Sequence, residues 1–315
     1  MAIQWFPGHM HATKKAILER MKGGIDVVVE LLDARLPGSS SNPLLAQLTQ
    51  GKPALKLLNK QDLADPARTD QWLDHYNSLP ATRALALDAS IAAPAQRLIA
   101  ACRELAPLRG GLAKPVRVLV CGIPNVGKST LINSLAGKRA AKTGDEPGIT
   151  KLEQKIALAS DFYLFDTPGM LWPKIIVEPS GYNLAASGAV GRNAYDEEEV
   201  ALELLAYLKA EYPDRLAERY KLEEVGQRSD EELLSAIGRT RGAVLPGGRV
   251  SLHKAGEIVL NDFRNSSLGR ITLETPAQYA QWLAEGERLE AERQQKKRSR
   301  GRRADEVQGG SGTAS

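Results

Sequence analysis

Cysteine is nearly absent from this 315-residue chain, apolar runs of membrane-spanning length are missing, and neither sign of charge is in strong excess. Only Cys102 and Cys121 occur, in stretches that read as a helix and a buried strand. That excludes a disulfide framework or a disulfide-linked partner and points to a reducing compartment. The first residues, Met1-Ala2-Ile3-Gln4-Trp5-Phe6-Pro7, lack a basic segment followed by an apolar one. With no long apolar run, they predict a soluble, cytoplasmic protein without a membrane partner. Lys and Arg number 42 against 38 Asp and Glu, a net charge of +4, which is too mild to single out an acidic partner. No internal repeat is visible.

What is present suits one large or two moderate domains: 43% hydrophobic and 25% charged residues, an ordinary globular balance. Short apolar runs at 25–32 (IDVVVELL), 53–58 (PALKLL), 83–87, 116–121, 152–158 and 162–165 read as buried strands. They alternate with helical stretches such as 95–105 and 128–135. The pattern predicts an α/β fold, a doubly wound and mostly parallel sheet over residues 1–175, with ligand at the carboxyl ends of the strands. Beyond it, apolar residues at helical spacing in 196–210, 215–220, 231–237 and 252–263 predict a smaller all-α domain over 176–290. Residues 291–315 turn basic and then Gly/Ser-rich. Their scant apolar surface predicts a disordered tail.

The chemistry starts at Gly122-Ile123-Pro124-Asn125-Val126-Gly127-Lys128-Ser129, which follows a strand, opens a helix and fits the phosphate-loop pattern. Its glycines let backbone N–H groups converge on phosphates. Lys128 reaches the β/γ oxygens and Ser129, followed by Thr130, offers a hydroxyl to Mg²⁺. Asp166-Thr167-Pro168-Gly169 ends a later strand, where the carboxylate suits the metal side and the Gly169 N–H a γ-phosphate. Thr150, between the two motifs, is a candidate third metal group and switch residue. A plain threonine starting a strand after Pro147-Gly148 is the competing reading. Asn59-Lys60-Gln61-Asp62 follows a strand and selects guanine, because a carboxylate accepts from N1–H and the exocyclic amine, a pattern adenine cannot reciprocate. Asn59 and Lys60 would flank the base. Asp88-Ala89 ends the next strand and is the candidate for a third base contact.

In ordinary small GTPases the phosphate loop precedes the guanine-selecting tetrapeptide. Here Asn59 to Asp62 comes first, so the domain reads as circularly permuted, and the chain after Gly169 runs directly into the helical domain. A nucleotide-dependent switch should therefore bias that domain's position.

Trp5-Phe6-Pro7-Gly8-His9-Met10, Asp33-Ala34-Arg35 with Pro37, Asn42-Pro43, Asn59 to Asp62, Gly122 to Thr130, Pro147 to Lys151 and Asp166 to Gly169 resemble the ribosome biogenesis GTPase A family of circularly permuted bacterial GTPases. Phe263-Arg264 and Gly269-Arg270-Ile271 extend the likeness into the helical part. The resemblance implies GTP hydrolysis to GDP and phosphate, late assembly of the large (50S) ribosomal subunit as the task, and rRNA and ribosomal proteins as partners. It implies that hydrolysis releases the protein. Met170 and Leu171 occupy the place where a water-orienting glutamine often stands, and the resemblance assigns that role to His9. It also implies K⁺ beside the phosphates, seated by Asn125. The sequence departs from the family where Asp88-Ala89 replaces a serine and where the basic tail after Arg293 exceeds the shared core. Other readings compete: a metabolic phosphate-loop phosphotransferase or ATPase, which would not need Asn59 to Asp62, a phosphate-loop GTPase acting on another structured RNA, and an RNA-binding scaffold in which nucleotide is only structural.

Overall fold

The computed structural model describes residue 3 and residues 8–88, 94–136 and 154–309. Six strands form one sheet: β1 (Val27–Asp33), β2 (Ala54–Asn59), β3 (Thr82–Ala86), β4 (Val116–Gly122), β5 (Gln154–Ala159) and β6 (Phe162–Asp166). Their order is β3-β2-β1-β4-β6-β5. β1 is buried at all seven positions, as a central parallel strand covered on both faces must be. β1, β2, β3, β4 and β6 run parallel. β5 is the exception, an antiparallel edge strand joined to β6 by a tight turn, which needs no crossover helix. The chain builds the β1–β3 half first and the β4–β6 half second, and the order reverses between β1 and β4. That switch point opens a crevice at the carboxyl ends.

Helices α1 (His9–Lys22), α2 (Pro37–Ser40), α3 (Pro43–Leu48), α4 (Pro66–Asn77), α5 (Pro94–Leu105) and α6 (Lys128–Ala136) belong to the sheet domain. Several starts are written locally: Asn42 and Asp65 cap α3 and α4 with their side chains, each followed by a proline at the first helical position, where the missing N–H does no harm. α7 (Glu178–Ser187), α8 (Glu197–Glu211), α9 (Pro213–Tyr220), α10 (Asp230–Thr240) and α11 (Leu252–Arg264) form the helical domain. α8 is its centre, burying Val200, Ala201, Leu204, Leu205 and Leu208, and a Ser229/Glu232 capping box starts α10.

Two features differ from the sequence reading. The chain does not stay in the helical domain up to residue 290: after α11 it returns to the sheet domain. There Ile271 N–H donates to the Leu63 carbonyl at 3.1 Å and Leu273 N–H to the Arg35 carbonyl at 2.7 Å. The Trp72 indole donates to the Glu274 carbonyl at 3.1 Å. Moreover α12 runs unbroken over Pro276–Gly309, through the segment expected to be disordered. Ala, Glu, Gln, Arg and Lys are strong helix formers, and pairs such as Arg288–Glu292 and Gln294–Glu290 support the turns. A helix already anchored by its first half continues without a new nucleation step.

Candidate nucleotide site

The parallel register brings the ends of four strands to one edge: Asp33 lies beside Asn59, Leu31 beside Gly122, and Val120 beside Asp166. Beyond β2 the tetrapeptide turns sharply, with Lys60 in the left-handed region at φ 61°. Beyond β4 the phosphate loop does the same at Asn125 (φ 56°) and Gly127 (φ 91°), ending at the N-terminus of α6, where free N–H groups and the helix dipole favour an anion. Gly127 is required twice over: its φ suits glycine, and a Cβ there would run into the Asn59 amide.

The two loops are joined directly. Asn59 Nδ2 donates to the Val126 carbonyl at 2.8 Å and Lys60 Nζ to the Asn125 carbonyl at 2.7 Å. Asn59 Oδ1 is buried and lacks a hydrogen-bond partner, an acceptor set at this junction that a ligand N–H would satisfy. Asp62 sits exposed at the rim on a single 3-10 turn, positioned to meet a base edge. Asp88 follows β3 at the same sheet edge and is half-buried, while Ala89 lies outside the described residues.

On the phosphate side Lys128 is ion-paired with Asp166, both side chains being buried. The N–H of Met170 donates to the Gly122 carbonyl at 3.0 Å. A Cβ on Gly169 would come within 2.8 Å of Pro124 Cα, so the Asp166 to Gly169 turn lies flush against the phosphate loop. Ser129 is half-buried at the start of α6 and Thr130 is exposed. A triphosphate with Mg²⁺ fits this arrangement by charge: Lys128 would hold phosphate oxygens, and Asp166 with Ser129 would hold the metal. Among the described residues no three His, Cys, Asp or Glu side chains gather into a metal cage. The metal would polarise the phosphoryl oxygens there. Thr150 lies outside the described residues. His9 opens α1, and its side chain also lies outside what is described.

Sequence reasoning gave Asp33 and Arg35 no role. Arg35 holds Asp33 in a two-pronged contact, Nε at 2.9 Å and NH2 at 2.7 Å, and Asp33 accepts from Lys60 Nζ at 3.0 Å. Burial works to raise the Asp33 pKa, but the Arg35 and Lys60 charges outweigh it and hold the carboxyl far below the usual range. For Lys60, burial lowers the ammonium pKa against the pull of Asp33. Arg35 in turn lies 4.9 Å from the Phe263 ring and donates to the Arg264 carbonyl at 3.4 Å. A signal existed in the sequence: Glu30 and Asp33 interrupt a fully buried strand, and buried carboxylates need cations. Glu30 finds Lys56 at 2.5 Å.

The family model described as "50S ribosome-binding GTPase" matches residues 117–235. It begins in β4, so Asn59 to Asp62 lies before the match, as a permuted order requires. A ribosome biogenesis GTPase A from Priestia megaterium is 42% identical over 291 residues, covering 90% of this chain and all of that one. Another from Bacillus cereus is 40% identical over 92% of this chain and 99% of its own length. The chain belongs to the ribosome biogenesis GTPase A family. It is a GTPase, and its site binds guanine nucleotide. A GDP-bound Thermotoga YlqF structure, 23% identical, shares the fold with a TM-score of 0.60 over 82% of this chain and 99% of its own.

The helical domain and the chain leaving it touch both loops of the site. Arg270 donates to the Gln61 and Ala64 carbonyls, each at 2.8 Å. Asn125 Nδ2 donates to the Gly188 carbonyl at the end of α7 at 2.8 Å. Asn42 Nδ2 donates to the Met170 carbonyl at 2.7 Å, fixing the connector that leads from Gly169 through buried Leu171 and Trp172 into α7.

Proposed function

We propose that this GTPase is a molecular switch that docks on the precursor of the large (50S) ribosomal subunit, contacting rRNA and ribosomal proteins during late assembly in the cytoplasm, and leaves on hydrolysis. The observation that carries the switch is that the helical domain and the chain leaving it bond directly to both nucleotide loops, Gly188 at the end of α7 to Asn125 on the phosphate side and Arg270 beyond α11 to the guanine side. Nucleotide that reorders either loop changes what those groups can hold, and so biases the domain. The relatives' names supply the ribosomal context.

Within the site, Asn59, Lys60 and Asp62 read the guanine, with Asp88 and Ala89 beside it. Gly122, Asn125, Val126, Gly127, Lys128, Ser129, Thr130 and Gly169 cradle the phosphates. Ser129, Thr150 and Asp166 serve Mg²⁺. Lys128 stabilises charge growing on the transferred phosphoryl group, and His9 orients water. The amide oxygen of Asn125 seats a K⁺ ion, while its Nδ2 is the group that donates to Gly188. The test is GTP turnover with and without purified large subunits, in K⁺ and in Na⁺. We expect stimulation by the particles in K⁺, lost in His9→Ala while GTP affinity persists. Turnover indifferent to the particles removes the ribosomal reading, and turnover equal in Na⁺ removes the cation.

A further inference from the structure

We infer that the second half of α12 is a helical docking surface for the phosphate backbone of structured RNA. The first half of the helix is fixed to the body. Tyr279 stacks edge-on against Trp72 at 6.0 Å, Glu290 pairs with Lys174, and Gly286 lies so close to the Ile176 carbonyl that a Cβ would sit 2.6 Å from it. Three acids of this half are engaged within the protein: besides Glu290, Glu285 and Glu292 pair with Arg288. Beyond Glu292 the helix continues to Gly309, and residues 291–297 are all exposed.

The charge changes abruptly there. Arg293, Lys296, Lys297, Arg298, Arg300, Arg302 and Arg303 occur with no acid between 293 and 303. At 3.6 residues per turn, positions 293, 296, 297, 300 and 303 fall within an arc of about 120° and along about 15 Å of axis, whereas 298 and 302 fall on the other side. The partner's chemistry follows from what the segment lacks. Residues 292–303, ERQQKKRSRGRR, include no apolar side chain, so there is no face to insert into a lipid interface or a protein groove. Five of the seven cations are arginine, whose planar fork suits phosphate. A polyanion with densely spaced phosphates is the complement, and binding would be driven by release of its counterions. This deepens the proposed ribosomal reading by naming an RNA-facing element, and it rests on that reading only for the RNA's source.

The test uses the full chain and a fluorescein-labelled RNA hairpin titrated across a range of KCl concentrations. Replacing Arg293, Lys296 and Lys297 by Gln should weaken binding at least about 10-fold and flatten the salt dependence, log K against log salt, by about 2 to 3. Basal GTP turnover should not change. The register is tested by two equal charge changes, Lys297→Gln with Arg300→Gln against Arg298→Gln with Arg302→Gln, the first pair costing several-fold more affinity. Unaltered RNA binding by the triple variant, or equal losses in the two pairs, overturns the inference. So does salt-dependent capture of the protein by phosphatidylserine vesicles at the affinity seen for RNA. If RNA binding behaves as expected but large subunits leave turnover unstimulated, the ribosomal reading fails and the inference stands.

Discussion

On the guanine side of the cleft, buried side chains hold one another in a continuous set: Asn59 on the Val126 carbonyl, Lys60 between Asp33 and the Asn125 carbonyl, Arg35 on Asp33, and Phe263 against Arg35. On the phosphate side, the Lys128–Asp166 ion pair sits among close backbone approaches at Gly122 and Gly169. The first arrangement is preorganised, each bond supported by the next. The second consists of opposite charges that can trade each other for phosphate and metal. The wall behind the tetrapeptide is therefore rigid, while the phosphate side is where charges can exchange partners.

The hardest way to break this contrast is Asp33→Ala, which strands Arg35 and Lys60 without their anion. Removing one partner of a buried ion pair typically costs about 3–5 kcal/mol, to be read by urea unfolding. A loss below about 1 kcal/mol would mean that the guanine side is not braced. Next is Glu274, buried behind the same wall, where it accepts from Ser39 N–H at 2.7 Å and Asn183 Nδ2 at 3.2 Å. Burial raises its pKa to about 7 despite those donors. The folded protein thus holds this proton to higher pH than the unfolded chain, so the contribution is intact below about 4.5 and declines as pH rises through 7, by roughly 3 kcal/mol in all. Glu274→Gln should flatten that decline between pH 5 and 7, and an unchanged slope in the variant would assign it elsewhere.

Asp62→Asn sharpens the comparison from the rim. Exposed and outside the braced set, it should leave stability nearly untouched while lowering GTP affinity by about 2–3 kcal/mol and improving xanthosine triphosphate binding, both read by calorimetry. The smallest effect is expected for Asn125→Gly, which keeps the left-handed backbone and removes the side-chain bond to Gly188, worth about 1 kcal/mol of stability. Its more telling readout is proteolysis of the helical domain, which should no longer respond to GTP.

The site's framework was legible where chemistry dictates local spacing. A phosphate loop must place its glycines, lysine and serine within a few residues, and Asn59 to Asp62 must follow a strand, so both could be located and their reversed order understood. Five of the strands were legible because parallel strands covered on both faces are apolar runs, and the sixth, β5, because its apolar residues precede a tight turn, although it lies antiparallel and partly exposed at the edge. Arg35 was not, because its partners, Asp33 at two residues and the Arg264 carbonyl at 229, are chosen by tertiary packing. The resemblance named Arg270 without a role, and its contact to Gln61 is likewise a matter of tertiary packing. The helix at 291–309 was misjudged because scarcity of apolar surface forbids a core but does not forbid a helix carried by an anchored neighbour.

The connector at Met170 and the returning strand of chain at Arg270 enter and leave the helical domain at opposite loops of the cleft. Between those two crossings lie further ties: Tyr212 donates to Asp65, Arg68 pairs with Glu211, and the Arg264 carbonyl accepts from Arg35. A shift of the helical domain driven by GTP must therefore release or remake these bonds together, and should emerge as an all-or-none repacking of the seam.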